Sequence, residues 1–133
     1  MTKNELVALA FEALKDSYCV YSNFPVGACV LCKDGKTFKG VNIENASYGL
    51  TMCAERNTVF KTILSGYKVE DMVAMALCAD ADEVPYPCGA CRQVLSELFP
   101  LDAPIFVHNT KGKILETSVR ELLPYIFDKE NLI

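Results

Sequence analysis

The sequence predicts an α/β fold: a three-layer α/β/α sandwich around a five-stranded mixed sheet whose last two strands are antiparallel. Stretches with strand character alternate with stretches of helical periodicity along the chain, the pattern of a sheet covered by helices. Two runs, Met72–Ala79 and residues 105–108, are nearly continuous in apolar residues, as suits strands buried on both faces. The connection after the second, Asn109-Thr110-Lys111-Gly112, favours a hairpin over a parallel crossover, which needs about a dozen residues. A length of 133 residues, 51% of them hydrophobic, suits one domain (residues 1–133) with one core.

The elements follow in order. Thr2 and Glu5 form a T-x-x-E capping box, and Leu6, Leu9, Ala10, Ala13 and Leu14 come after it at helical spacing, giving a first helix to about Lys15. An aromatic loop, residues 18–24, leads to a strand at Val26–Cys32; Asp34-Gly35 makes a tight turn and Thr37–Val41 is the returning strand. Ala54–Leu64 carries Val59, Phe60, Ile63 and Leu64 at helical spacing and stops before Gly66, and the run Met72–Ala79 then forms a central strand. Pro85 and Pro87 break the chain, Gly89–Leu98 is the next helix, and residues 105–108 and 113–116 are the terminal hairpin. Ser118 and Glu121 cap a short last helix.

Charge and cysteine usage narrow the function. A net charge of −4, with no cluster of lysine and arginine, argues against nucleic acid, whose phosphates are met by concentrated positive charge. A small-molecule substrate fits better. No apolar stretch is long enough to span a membrane, and the opening M-T-K-N-E-L-V-A-L-A-F-E lacks the basic start and unbroken apolar run of a signal peptide, so the expected location is cytoplasmic. In that setting seven cysteines point to reduced thiols, used for metal binding or catalysis.

Cys53, Cys88 and Cys91 stand apart from the other four. Cys53 and Glu55 lie in M-C-A-E-R and Cys88 and Cys91 in P-C-G-A-C-R, each motif opening a predicted helix, where free N–H groups and the helix dipole stabilise thiolates. Three thiolates hold one Zn²⁺ and leave its fourth position open to water, the arrangement of a catalytic rather than a structural site. Three negative sulfurs make bound water a poorer acid, so Arg56, beside Glu55, is assigned hydrogen bonds to the sulfurs that withdraw charge from them. Glu55, two residues from a ligand, is placed to take a proton from the metal-bound water without coordinating.

C-A-E followed by P-C-x-x-C resembles the zinc-dependent nucleoside and nucleobase deaminases, with cysteine where H-x-E members carry histidine. With the run Asn42-Ile43-Glu44-Asn45-Ala46-Ser47-Tyr48, the chain is similar over nearly its whole length to the small homotetrameric cytidine deaminases. The resemblance implies a cytidine deaminase-like fold, one zinc per chain, and hydrolysis of cytidine and deoxycytidine to uridine and deoxyuridine with release of ammonia, in pyrimidine salvage. A zinc-activated hydroxide would attack C4 of the base while Glu55 carries the proton to N3 and then to the leaving amine. It further implies that Asn42 and Glu44, with Ile43 between them, hold the ribose 3′-hydroxyl, that Phe24 packs on the pyrimidine, and that the Ala54 N–H donates to the base carbonyl. Tyr48 and Phe127 match positions contributed across subunit contacts, which would make each active site composite. Met52, Asn57 and Thr58 flank the first motif without a part in the mechanism.

Plainer readings stand beside these. C-G-A-C at a helix start equally suits a thiol redox pair, a reading that leaves Cys53 and Glu55 unexplained. Cys29, Cys32 and Cys78 fall in strands and read as small buried hydrophobes, and neither they nor Cys19 receive a function. His108, the single histidine, has no partner at ligand spacing and reads as a surface or packing residue. On local sequence alone Phe24 suits the core, Asn42 and Glu44 suit a turn, and Arg56 suits a solvated helix face.

Overall fold

A computed structural model describes residues 1–132. Five strands form one sheet among these residues: β1 (Val26–Cys32), β2 (Thr37–Val41), β3 (Met72–Ala79), β4 (Ile105–Asn109) and β5 (Ile114–Thr117), in the order β2-β1-β3-β4-β5. β1 runs antiparallel to β2 and β3, β3 and β4 are parallel, and β5 returns antiparallel to β4, as the short connection after β4 predicts. The helices are α1 (Lys3–Ala13), α2 (Ala54–Leu64), α3 (Gly89–Leu98) and the short α4 (Val119–Leu122). None of the described helices is long and apolar enough to cross a membrane.

Side chains alternate across the sheet and divide the core in two. Ala28, Val30, Met75, Leu77, Ile105 and Val107 face Val59 of α2 and Leu95 of α3, whereas Cys29, Ala74, Ala76, Cys78 and Phe106 face Leu6 and Ala10 of α1. Two glycines let the helices approach the strand backbone. A Cβ on Gly27 would stand 2.5 Å from the Ala10 carbonyl oxygen, and one on Gly40 would stand 2.8 Å from the Thr58 nitrogen. These contacts are with backbone, which does not yield, so α2 is seated directly on β2 and its N-terminus is fixed over the sheet.

The helix starts follow the sequence signals. Thr2 Oγ1 accepts the Glu5 N–H at 3.2 Å and Glu5 Oε2 accepts the Thr2 N–H at 3.3 Å, closing the capping box, and Ser118 caps Glu121 in α4. The bounds of the first helix and of the last two strands move. The first α-helix ends at Ala13 and a single 3-10 turn carries the chain through Asp16, a common tightening at helix ends. Asn109 belongs to β4, and its side chain accepts the N–H groups of Lys111 and Lys113, which draws Lys113 into the turn and starts β5 one residue later than the sequence suggests.

His108 proves to be a packing residue: it is 1% exposed, and its Nε2 has no hydrogen-bond partner. Burial lowers its pKa from 6.5 to about 4. The unfolded chain therefore takes up a proton below about pH 6.5 that the native chain refuses until about pH 4. The stability held above that window is lost as pH falls through it, by up to about 3 kcal/mol. Denaturant unfolding of the wild type and His108→Leu should show the gap between them shift by that amount from pH 7.5 to 4.5; parallel pH curves would remove the assignment.

Candidate active site

Two helix starts make the centre of the site. Cys53 is the N-cap residue of α2 and Cys88 that of α3, both in extended backbone, and Cys91 follows one turn into α3 with its side chain buried. The β1–β3–β4 core sets the two helices side by side on one face, so residues 35 positions apart in the chain bring their sulfurs to 3.9 Å for Cys53 and Cys88. Cys88 and Cys91 are 3.5 Å apart, and all three Sγ atoms lie within 4.8 Å of one another. Sulfurs bound to one tetrahedral zinc at about 2.3 Å stand about 3.8 Å apart, so the observed spacings fit that ion. A disulfide is far shorter, at about 2.05 Å, and all seven cysteines are free thiols. No further histidine, cysteine or carboxylate ligand atom among the described residues joins the cluster, which leaves the open position of a catalytic site.

Charge around the sulfurs suits a metal. Arg56 Nη2 donates to Cys53 Sγ at 3.4 Å, so the arginine turns in toward the cluster rather than out to solvent. The Cys91 thiol and then Arg56 lower the Cys53 pKa to about 5, and Cys91, whose proton that thiolate attracts, is pushed up in turn. The cluster thus favours a thiolate at Cys53, the form that binds a metal.

Glu55 is 4% exposed, in the first turn of α2 beside these sulfurs. Burial raises its pKa, and the neighbouring Cys53 charge adds to the rise. A carboxyl group held above its usual range is suited to taking and giving a proton near neutrality. It borders a cavity of about 360 Å³ lined also by Phe24, Asn42, Ala54, Cys53 and Cys88. A second cavity of about 410 Å³, holding Glu44 and Tyr48, adjoins the first at Thr51.

The remaining sequence candidates are placed as follows. Phe24 is 43% exposed at the cavity wall, and Ala54 is fully buried in the first turn of α2, where backbone N–H groups lack intrahelical partners. Ile43 is half exposed and bridges Tyr18 and Met52 through its backbone. Tyr48 packs edge-on against Tyr21 in the neighbouring cavity, while Phe127, whose carbonyl accepts from Gln93, borders a different hollow with Ser96 and Glu97. Neither Tyr48 nor Phe127 lines the cavity holding Cys53 and Glu55 in its own chain.

Several contributors carry no sequence signal. Thr51 and Tyr86 line the cavity from irregular segments. Arg92 donates to the carbonyls of Pro87 at 2.7 Å and Leu122 at 2.9 Å, fixing the loop that carries Cys88. Asn57 Nδ2 donates to the Val41 carbonyl at 2.8 Å, and Thr58 packs against Gly40, so both anchor the helix that begins at Cys53. Only the cysteine next to Arg92 hinted that it lay near the site.

A fold of this kind, with thiols gathered at two helix starts and a buried glutamate beside them, defines a zinc-binding hydrolytic enzyme of the deaminase class. Residues 1–106 match the family model described as the cytidine and deoxycytidylate deaminase zinc-binding region. The cytidine deaminase of Halalkalibacterium halodurans is 47% identical over 132 residues, covering 99% of this chain and 98% of its own. That of Sporosarcina psychrophila is 44% identical, covering 99% and 96%. The crystal structure of cytidine deaminase from Burkholderia pseudomallei superposes with a TM-score of 0.93 at 42% identity, over 96% of this chain and all of that one (100%). The chain belongs to the cytidine and deoxycytidylate deaminase family.

Proposed function

We propose that the protein hydrolyses cytidine and deoxycytidine to uridine and deoxyuridine, releasing ammonia, as a cytoplasmic enzyme of pyrimidine salvage. The observation that carries this is the single cavity lined by Cys53 and Cys88 of the three-thiol cluster, the buried Glu55, Phe24 and Asn42. When bound by Cys53, Cys88 and Cys91, zinc supplies Lewis acidity that makes hydroxide available near neutral pH.

The chain's own residues do the rest. Phe24 stacks on the pyrimidine and the Ala54 N–H donates to the base carbonyl, which together present C4 to the cluster. Glu55 takes one proton of the attacking water and passes it to N3 as the C4–O bond forms, then carries the proton of the new C4 hydroxyl to the amine as the C4–N bond breaks. Asn42 and Glu44 hold the sugar hydroxyl, with Ile43 as the spacer between them. Burial of Glu55 supports this role, because a solvated carboxylic acid gives its proton to water near neutral pH whereas burial favours the protonated form. Tyr48 and Phe127 act in neighbouring active sites of a homotetramer, a reading supported by their exposure of 76% and 57%.

Loss of the cytidine ultraviolet band, with ammonia formed in equal amount, tests the reaction, and sedimentation tests the tetramer. A zinc-loaded chain that leaves both nucleosides intact would overturn the proposal. Arg56→Ala is expected to weaken zinc binding about 10- to 100-fold, read by competition with a chromogenic chelator. Unchanged affinity and rate would return Arg56 to a solvated-face role.

A further inference from the structure

The loop that carries Phe24 is held by the residues that the proposed function assigns to the sugar. Asn42 Nδ2 donates to the Phe24 carbonyl at 2.9 Å, and its Oδ1 accepts the Val26 N–H at 3.0 Å and the Ser17 hydroxyl. Glu44 Oε1 accepts the N–H groups of Tyr21 at 3.1 Å and Ser22 at 3.0 Å, and Glu44 Oε2 accepts the Ser22 hydroxyl. That hydroxyl in turn accepts the Phe24 N–H at 3.0 Å. Both backbone polar groups of Phe24 are therefore tied, one to Asn42 directly and the other to Glu44 through Ser22. Between Ser22 and Phe24 the chain reverses at Asn23, whose φ of 55° lies in the left-handed region that asparagine tolerates.

Phe24 needs this. At 43% exposed it has too little surrounding core to fix its ring, so its position depends on its backbone. The donor and acceptor count leaves room for a substrate as well. Asn42 keeps one amide hydrogen and Glu44 keeps lone pairs on Oε2, one donor and one acceptor for a sugar hydroxyl. The Ser22 hydroxyl, with the Ser22 and Tyr21 N–H groups, holds the Glu44 carboxyl below the usual range, so it stays an acceptor.

We propose that Ser22 is a positioning residue for nucleoside deamination, linking the sugar-holding carboxylate of Glu44 to the backbone of Phe24 so that sugar contact and base platform are set as one unit. The inference rests on the nucleoside reading above. A sugar engaged by Glu44 tightens the bridge that places Phe24, and a base without its sugar meets a looser platform.

The test is a double-mutant cycle in steady-state kinetics with cytidine, using zinc-loaded protein and recording zinc content and melting temperature for each variant. Ser22→Ala should raise KM about tenfold, the scale of a hydrogen bond to a charged group, with kcat changed less than about threefold. Ser22→Thr, which keeps the hydroxyl, should restore most of the loss. In a Glu44→Ala background the serine substitution should cost less than about twofold, because its partner is already gone. An unchanged KM in Ser22→Ala, an equal loss in both backgrounds, or a fall in zinc content that accounts for the loss would each overturn the role. Cytidine left intact by the unmutated chain would defeat the nucleoside reading and the role of Ser22 together, whereas turnover with an indifferent Ser22 defeats only the latter.

Discussion

Glu55→Gln is expected to retain zinc and lose catalytic turnover by about 10²- to 10⁴-fold, the range that a positioned proton carrier contributes. Glutamine matches the glutamate in shape and fills the same buried site in the first turn of α2, so the helix start and the three sulfurs beside it should not shift. What disappears is the ability to accept a proton from water and return it to the base and the leaving amine. Because uncharged glutamine removes a buried carboxyl group next to the Cys53 charge, the fold should be no less stable for the change. Single-turnover measurement on metal-replete protein separates chemistry from binding. A glutamine variant working within a factor of about ten of wild type would leave the proton transfer to some other group.

Cys53→Ala carries the second large effect: zinc should fall from about one per chain to a small fraction, and deamination with it. The two sulfurs that remain, Cys88 and Cys91, both come from α3, and without the third nothing ties α3 to the start of α2 through the ion. The helix itself should survive, because Cys53 makes no side-chain capping bond to the first turn of α2, so alanine removes no cap. Any drop in melting temperature is then the lost metal linkage, and excess chelator should bring the wild type down to the same value. A wild type that keeps its stability under chelation would show instead that zinc adds little to the fold. An alanine variant that keeps stoichiometric zinc would remove Cys53 from the ligand set.

The elements that the sequence displayed most clearly are those whose cause is local. Capping residues at Thr2 and Ser118, the periodicity of α2 and the apolar runs of β3 and β4 all act within a few residues, and helices and strands lie where they point. The three cysteines were legible for a related reason: their spacing and helix-start context restrict what chemistry they suit. Less visible was whatever depends on the meeting of distant segments. Asn57 and Thr58 look like ordinary helix surface until β2 is seen to pass beneath them, with Gly40 against Thr58 and the Val41 carbonyl under Asn57. Ser22 looks like any loop serine, because Glu44 reaches it across 22 residues of chain. His108 shows the same limit from the other side, since nothing in I-F-V-H-N says that the histidine is sealed from water with no hydrogen-bond partner at Nε2.

The free thiols differ in what they offer a metal. Cys29 and Cys78, buried in the sheet, have their pKa values pushed up to about 11 by desolvation, and Cys32 is raised for the same reason. Protonated sulfur is a poor ligand and a poor nucleophile, so these residues cannot compete for an incoming soft cation or react readily with an electrophile. Cys53 is shifted the other way, first by its contact with Cys91 and then by the Arg56 guanidinium, and that same contact raises Cys91. A protein with more soft donors than one ion needs thereby offers that ion a single destination, set by the one place among the described residues where three sulfurs meet and share their protons rather than by how many sulfurs there are.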